Sequence, residues 1–207
     1  MLNPFRDSRP EKLVRAIEKD DAVALAKVLS KADTDFLNRP LHDSRHAAEL
    51  AILAGRPKLL VQILAAGADT HGHARDGHSL MECALLHPHE SLGLIGALLQ
   101  AGADPNAAGH DGQPPLHACF DHCPPERLML HLSRLLQSGA AIDCRDRDGR
   151  SLIDRALLSQ RRELIHFVIH SGCTFPDNAP GSLDAETWEY ARRCCQDYQI
   201  RQQFLAN

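Results

Sequence analysis

The chain has 207 residues and a formal net charge of −4, a length for one compact domain or a short repeat array. Its charge argues against a general nucleic-acid or anionic-membrane binder. Hydrophobic residues make up 43% of it but aromatics only 4%, which suits close-packed short helices rather than an aromatic-rich sheet core. No apolar run approaches the ~20 residues that span a bilayer, and residues 1–7 lack the apolar stretch of a signal peptide. Seven cysteines, an odd number with no Cys-x-x-Cys among them, read as reduced thiols, several acting as small core residues. The expected location is cytoplasmic, and the Ala-, Leu-, Arg- and His-rich composition reads as bacterial.

In chain order, Leu13, Val14, Ala16 and Ile17, then Ala24, Leu25, Val28 and Leu29, predict two short amphipathic helices between Pro10 and Ala32. Ser8 is the expected N-cap, and Lys19-Asp20-Asp21 the break. A second pair is expected about 45–54 and 58–65, broken at Gly55-Arg56-Pro57 and closed by Ala66-Gly67-Ala68-Asp69, where Gly67 fits a left-handed helix terminus. Further first helices are predicted at Leu80–Leu86, Leu116–Phe120 and Leu152–Leu158, each shortly after Asp76-Gly77, Asp111-Gly112 or Asp148-Gly149. Beyond a Pro/Gly loop at 174–182 the chain turns helical again. Ser182 or Asp184 is the expected cap, Trp188, Ala191 and Cys195 share one face, and Tyr198, Ile200, Phe204 and Leu205 suggest a second short helix.

The helix-closing glycines Gly67, Gly102, Gly139 and Gly172 stand 35, 37 and 33 residues apart, a period that marks a helical solenoid. The links at 87–91 and 121–126 are longer than Gly55-Arg56-Pro57 and account for the uneven spacing.

The phrase Asp111-Gly112-Gln113-Pro114-Pro115-Leu116-His117-Ala118-Cys119 resembles the Asp-Gly-x-Thr-Pro-Leu-His-x-Ala signature of the ankyrin repeat family. Weaker versions run through 76–84 and 148–156, and Gly102-Ala103-Asp104-Pro105-Asn106 resembles the family's closing turn. The resemblance implies an all-α solenoid with hairpin tips, in five divergent units at about 8–35, 36–71, 72–106, 107–143 and 144–173. A helical C-terminal cap at 174–207 would shield the last apolar face, with Trp188 as its seal. Ser79 and Ser151 stand where the family has Thr and can still cap, Leu80 and Leu152 replace Pro, and Glu82 and Asp154 replace the His that cross-links neighbouring turns.

Three chemical readings follow. The densest metal-capable cluster is His117, Cys119, His122 and Cys123, and a metal-dependent or enzymatic protein using it is the alternative function. Repeat register, however, assigns His117 to turn cross-linking and Cys119 to the core, leaving only His122 and Cys123 facing outward, short of the four ligands of structural zinc. Asp121, His122 and Cys123 match no nucleophile motif, and stacked repeats offer a groove rather than a convergent pocket. No enzyme activity and no cofactor are therefore expected.

The favoured reading is a monomeric protein–protein interaction module of the adaptor, immunity or effector type, because solenoids bind through their concave faces. By the resemblance, hairpin tips contribute His73, Arg75, His78, His110, Gln113, Arg145, Arg147 and Arg150 to that face. First-helix ends contribute Leu53, Leu86, His87, Phe120, Asp121, Leu158 and Ser159. An apolar row of Leu86, Phe120 and Leu158 among Arg and His predicts a partner with an acidic surface around an apolar centre. The histidine-rich tips also suggest pH sensitivity.

Overall fold

The computed structural model describes residues 7–181 and 183–205. The expectations for residues 1–6 and the cap assignment to Ser182 lie outside the described residues. The chain forms two compact units, one ending at Asp111 and one beginning at Gly112. Among the described residues there are α-helices, one 3-10 turn at His42–Ser44 and no β-strand. None of the helices is long and apolar enough to cross a membrane.

The first unit holds α1 (Arg9–Glu18), α2 (Ala22–Leu29), α3 (Thr34–Asn38), α4 (Ala47–Leu53), α5 (Pro57–Ala65), α6 (Leu80–Leu86) and α7 (Ser91–Gln100). α1 packs on α2, α4 on α5 and α6 on α7; the pairs stack in two layers, α1 on α4 on α6 and α2 on α5 on α7. The pattern of small residues explains the close stacking: Ala47 and Ala51 of α4 are fully buried beside Ile52, so a neighbouring helix meets backbone rather than bulk. Leu13, Leu25, Leu60, Ile63 and Leu94 fill the rest of this core. Each such side chain contributes about 1.5–3 kcal/mol by leaving water, and Leu60→Ala would cost about 2–5 kcal/mol.

The second unit holds α8 (Pro115–His122), α9 (Leu128–Gln137), α10 (Leu152–Leu158), α11 (Arg162–His170) and α12 (Ala185–Leu205). Here α8 packs on α9 and α10 on α11, α8 meets α10, and α12 covers α11 and part of α10. Leu116, Leu132, Leu135, Leu152, Leu164, Ile165 and Val168 are its buried core.

Local chemistry sets the boundaries. Ser79 and Ser151 cap α6 and α10 by accepting the N–H groups of Glu82 (3.1 Å) and Asp154 (3.3 Å). Gly102 closes α7 at φ 88° and Gly112 turns the chain before α8 at φ 78°, values that side chains rarely tolerate. Hairpin tips form where Ala74 N–H bonds His78 O and Asp146 N–H bonds Arg150 O, at 2.8 and 2.9 Å. Single antiparallel bridges join His73 to Ser79 and Arg145 to Ser151 beside them.

Three expectations need correction. Ser8 occupies the N-cap position of α1 but makes no side-chain cap bond; Asp7 accepts the Arg9 N–H at 2.9 Å instead. The C-terminal segment is one 21-residue helix, because no Gly or Pro interrupts residues 185–205. Its buried residues are Ala191 and Cys194 rather than Cys195, and Trp188 is half-buried, stacked 5.2 Å from Phe175 of the preceding loop. Helix α3 was not foreseen: Asp33 caps it through Phe36 N–H at 2.7 Å, and it buries Phe36 and Leu37.

Candidate functional site

Polar side chains near the starts of α4, α6 and α8 reach the backbone of the following turn, whereas Asp154 of α10 bonds Ser151 of its own cap. In the first unit Glu49 Oε1 accepts Arg75 N–H at 3.1 Å, and Glu82 Oε2 accepts His110 N–H at 3.0 Å. Glu82, read from sequence as a departure from the cross-linking histidine, thus makes a cross-turn bond of its own. In the second unit Gln113 Oε1 accepts Arg147 N–H at 3.3 Å, and His117 Nε2 lies 3.0 Å from Cys144 O. A carbonyl only accepts, so His117 carries its proton on Nε2 and presents a bare Nδ1 to the interior. Burial holds the His117 pKa below the ordinary imidazole value, outweighing the favourable Cys144 carbonyl and Asp146 carboxylate.

Around these latches the first unit brings two of its proposed contact residues together. The rings of His78 and His110 lie 4.8 Å apart, both close to Glu82, whose Oε1 is 2.8 Å from His78 Nδ1 and 3.8 Å from His110 Nδ1. The Glu82 carboxylate raises the His78 pKa against the opposing effect of burial. His73 and Arg75 are exposed at the same hairpin tip. Arg75 lines a hollow of about 320 Å³ with Arg45, Glu49, Leu53, Asp76 and Cys83. His87 is used internally: its Nδ1 accepts Glu90 N–H at 3.1 Å at the start of α7, and its ring packs where a Cβ on Gly55 would come within 2.7 Å.

In the second unit Arg155, not singled out from sequence, is the hub. Its guanidinium pairs with Asp121 (Nη1 to Oδ2 3.3 Å), donates to His117 O at 3.2 Å and lies 4.9 Å over the Phe120 ring. Phe120 is therefore a half-covered platform rather than a bare anchor. Gln113 is buried and donates to Asp121 Oδ2 at 3.0 Å, so its side chain serves the scaffold. Burial pushes the Asp121 carboxyl up, but its bonds to Arg155 and Gln113 prevail and leave its pKa lowered. Arg145, Arg147 and Arg150 are exposed. Arg145 donates to Gly149 O at 2.8 Å and Arg150 pairs with Asp148 at 3.3 Å, which shapes the tip while leaving the arginine row at the surface.

Leu53, Leu86 and Leu158, at the ends of α4, α6 and α10, are 51%, 44% and 43% exposed. Leu53 and Leu86 end helices that pack side by side. Sequence reasoning also missed a basic groove of about 510 Å³ between α1 and α2. It is lined by Arg9, Lys12, Arg15, Lys19, Lys27 and Lys31 with Asp21 as the acid. The signal was present as basic residues at 9, 12, 15 and 19, a spacing that puts them on one helical face.

The cluster of His117, Cys119, His122 and Cys123 divides. His117 and Cys119 are buried and His122 is exposed, whereas Cys123, expected to face outward, is buried. It turns in because α8 ends just before it, aiming its thiol at Cys119 and at the buried His131 of α9. The Cys119 thiol, then His131, lower the Cys123 pKa, while the same contact and burial raise that of Cys119. His131 donates from Nδ1 to Arg127 O at 2.8 Å. Among the described residues, the group of three His, Cys, Asp or Glu side chains that converges closely enough for a metal ion is His78, Glu82 and His110.

No protein-family model matches the chain, and no curated protein matches it significantly.

Proposed function

We propose that this protein is a non-catalytic protein-binding module built on divergent ankyrin-like repeats and acting as a cytoplasmic accessory, of the adaptor, immunity or effector type. The recurrent helix pairs, the positive-φ glycines that close them and the cross-turn latches support the repeat reading. The partner surface consists of the hairpin tips and first-helix ends, the face that is concave in ankyrin-like repeats. In the first unit it comprises Leu53, Leu86, His73, Arg75, His78 and His110. In the second it comprises Leu158, Arg145, Arg147 and Arg150, with Phe120 and Asp121 behind Arg155.

The observation that carries this reading is the exposure of Leu53, Leu86 and Leu158 at the ends of first helices, while Leu80 and Leu85 of α6 and Leu152 and Leu157 of α10 are buried. In the first unit Leu53 lines a hollow with Arg45 and Arg75, an apolar side chain with a charged rim that fits a docking patch. The arginine tip and the basic groove between α1 and α2 both favour an acidic partner, although the whole chain is net acidic. Opposite charge mainly speeds and orients such an encounter.

The test is affinity capture from the native cell, comparing the wild-type chain with Leu86→Asp and Arg147→Glu variants matched for folding by circular dichroism. A protein held by the wild type and lost from both variants is expected. An identical set retained by all three would remove the proposed surface.

A further inference from the structure

We propose that His78, Glu82 and His110 form a binding site for a divalent transition-metal ion of the zinc class, a capability beyond partner binding that shares His78 and His110 with the proposed partner surface. The site is assembled by the scaffold before any ion arrives. Ser79 caps the α6 start by accepting the Glu82 N–H, which fixes Glu82 four residues after His78. Glu82 Oε2 is held by the His110 N–H at 3.0 Å, which turns Oε1 toward both imidazoles. The three ligand atoms lie within 4.8 Å of one another. Ligands on a tetrahedral zinc ion, with bonds near 2.0–2.1 Å, sit about 3.4 Å apart, so closing this set around an ion needs side-chain shifts of about 1 Å or less.

Three further features are what a metal site requires. His78 Nδ1 is shut off from solvent, and its 2.8 Å approach to Oε1 is off the line of a hydrogen bond. Asp76 Oδ2 lies 3.9 Å from the opposite ring nitrogen, Nε2. Before an ion binds, Glu82 Oε1, the nearer carboxylate, favours the proton on Nδ1; an ion displaces that proton, as metal binding to histidine requires, and the Asp76 carboxylate beyond Nε2 then supports the ligating tautomer from the outer shell. Gly109 supplies the third feature: a Cβ at this position would meet the Glu82 carboxylate at 3.0–3.2 Å. Its missing side chain lets the loop close on Glu82 and carry His110 over His78.

The ligand chemistry narrows the ion. Two imidazoles and one carboxylate suit zinc, cobalt, nickel or copper(II), whereas magnesium and calcium take oxygen ligands. The side chains of His78, Glu82 and His110 are 27%, 13% and 57% exposed, so the set has a sheltered floor and an open outer side. Three protein ligands with one position left to water is the open form of a zinc site rather than the closed, four-ligand form.

The experiment uses the untagged full chain, zinc chloride in calorimetric titration and cobalt(II) chloride as a spectroscopic probe. One equivalent of zinc should bind, and cobalt should develop the visible absorption of a low-coordinate nitrogen–oxygen site. His78→Asn and His110→Asn should each weaken zinc at least tenfold, and the pair together should abolish saturable uptake without changing the circular dichroism of the apo protein. Glu82→Gln keeps an oxygen for the His110 N–H, so loss of binding in that variant separates the carboxylate's ligand role from its latch role. Gly109→Val should weaken zinc by displacing Glu82, a positioning effect. Absence of one-to-one uptake would overturn the proposal, as would uptake that survives both histidine substitutions and disappears with Cys119→Ser or Cys123→Ser. Because no partner is present in the titration, its failure leaves the protein-binding reading untouched.

Discussion

The two units give the same structural task to different side chains. In the first, Glu82 closes on the next turn with one carboxylate oxygen and keeps the other, 2.8 and 3.8 Å from two histidines. In the second, His117 gives its only N–H to Cys144 O and turns a bare nitrogen into the interior. A carboxylate latch can therefore also build a polar site, whereas a buried neutral imidazole latch is wholly committed to the fold. The same contrast extends to the rim: His78 and His110 gather at the first unit's latch, while Arg155 gathers Asp121, His117 and Phe120 behind that of the second.

The sharpest way to break this contrast is His117→Ala. An unsatisfied Cys144 carbonyl costs about 1–3 kcal/mol, and the vacated volume adds to it, so a loss of about 2–4 kcal/mol is expected. Urea unfolding followed by Trp188, the sole tryptophan of the chain and a residue of the second unit, measures it. A loss under about 0.5 kcal/mol, the ordinary surface range, would deny His117 its structural role. Arg155→Ala should cost less, about 1–2 kcal/mol, because its partner Asp121 is partly solvated and the pair is screened. The same urea unfolding with and without added salt checks it, the wild type being the more salt-sensitive.

The pH dependence separates the latches further. The His117 pKa is lower in the folded protein than in the unfolded chain, so the unfolded state takes up the proton first. Stability from neutral His117 is complete above the unfolded value of about 6.5 and is lost as pH falls through the folded value. Asp121, also lowered, keeps its contribution until pH falls below the ordinary carboxylate range near 3.9. Unfolding curves between neutrality and pH 5 should steepen in wild type and flatten in His117→Gln; parallel curves would contradict the assignment. The smallest effect is expected for His78→Asn without metal, within about 0.5 kcal/mol, since this histidine borders the latch without forming it.

The sequence makes helix boundaries legible where capping chemistry is local. Leu80–Leu86 and Leu152–Leu158 match their predicted spans because Ser79 and Ser151 lie directly before them. Helix α3 escaped because five residues are too few for a periodic signal, although Asp33 before a buried Phe36 was visible in retrospect. Long-range geometry was less legible. Gln113 reads as a tip residue, yet its direction is set by Asp121 and by Arg147, which lies 34 positions away. Phe120 reads as an open aromatic until Arg155 covers it, also from a distant helix. His78 and Glu82 are an i,i+4 pair visible in one dimension, but only the loop at Gly109 brings His110 to them.

Zinc-dependent thermal melting tests the contrast between the latches most directly, run on the wild type, Glu82→Gln and His117→Gln. A ligand held only by the folded state stabilises it by about 2.7 kcal/mol at a hundredfold excess over its dissociation constant. Zinc should therefore raise the melting temperature of the wild type and of the already destabilised His117→Gln by similar amounts, and leave Glu82→Gln unmoved. An equal zinc shift in Glu82→Gln, or none in the wild type, would contradict the division of labour between the two latches.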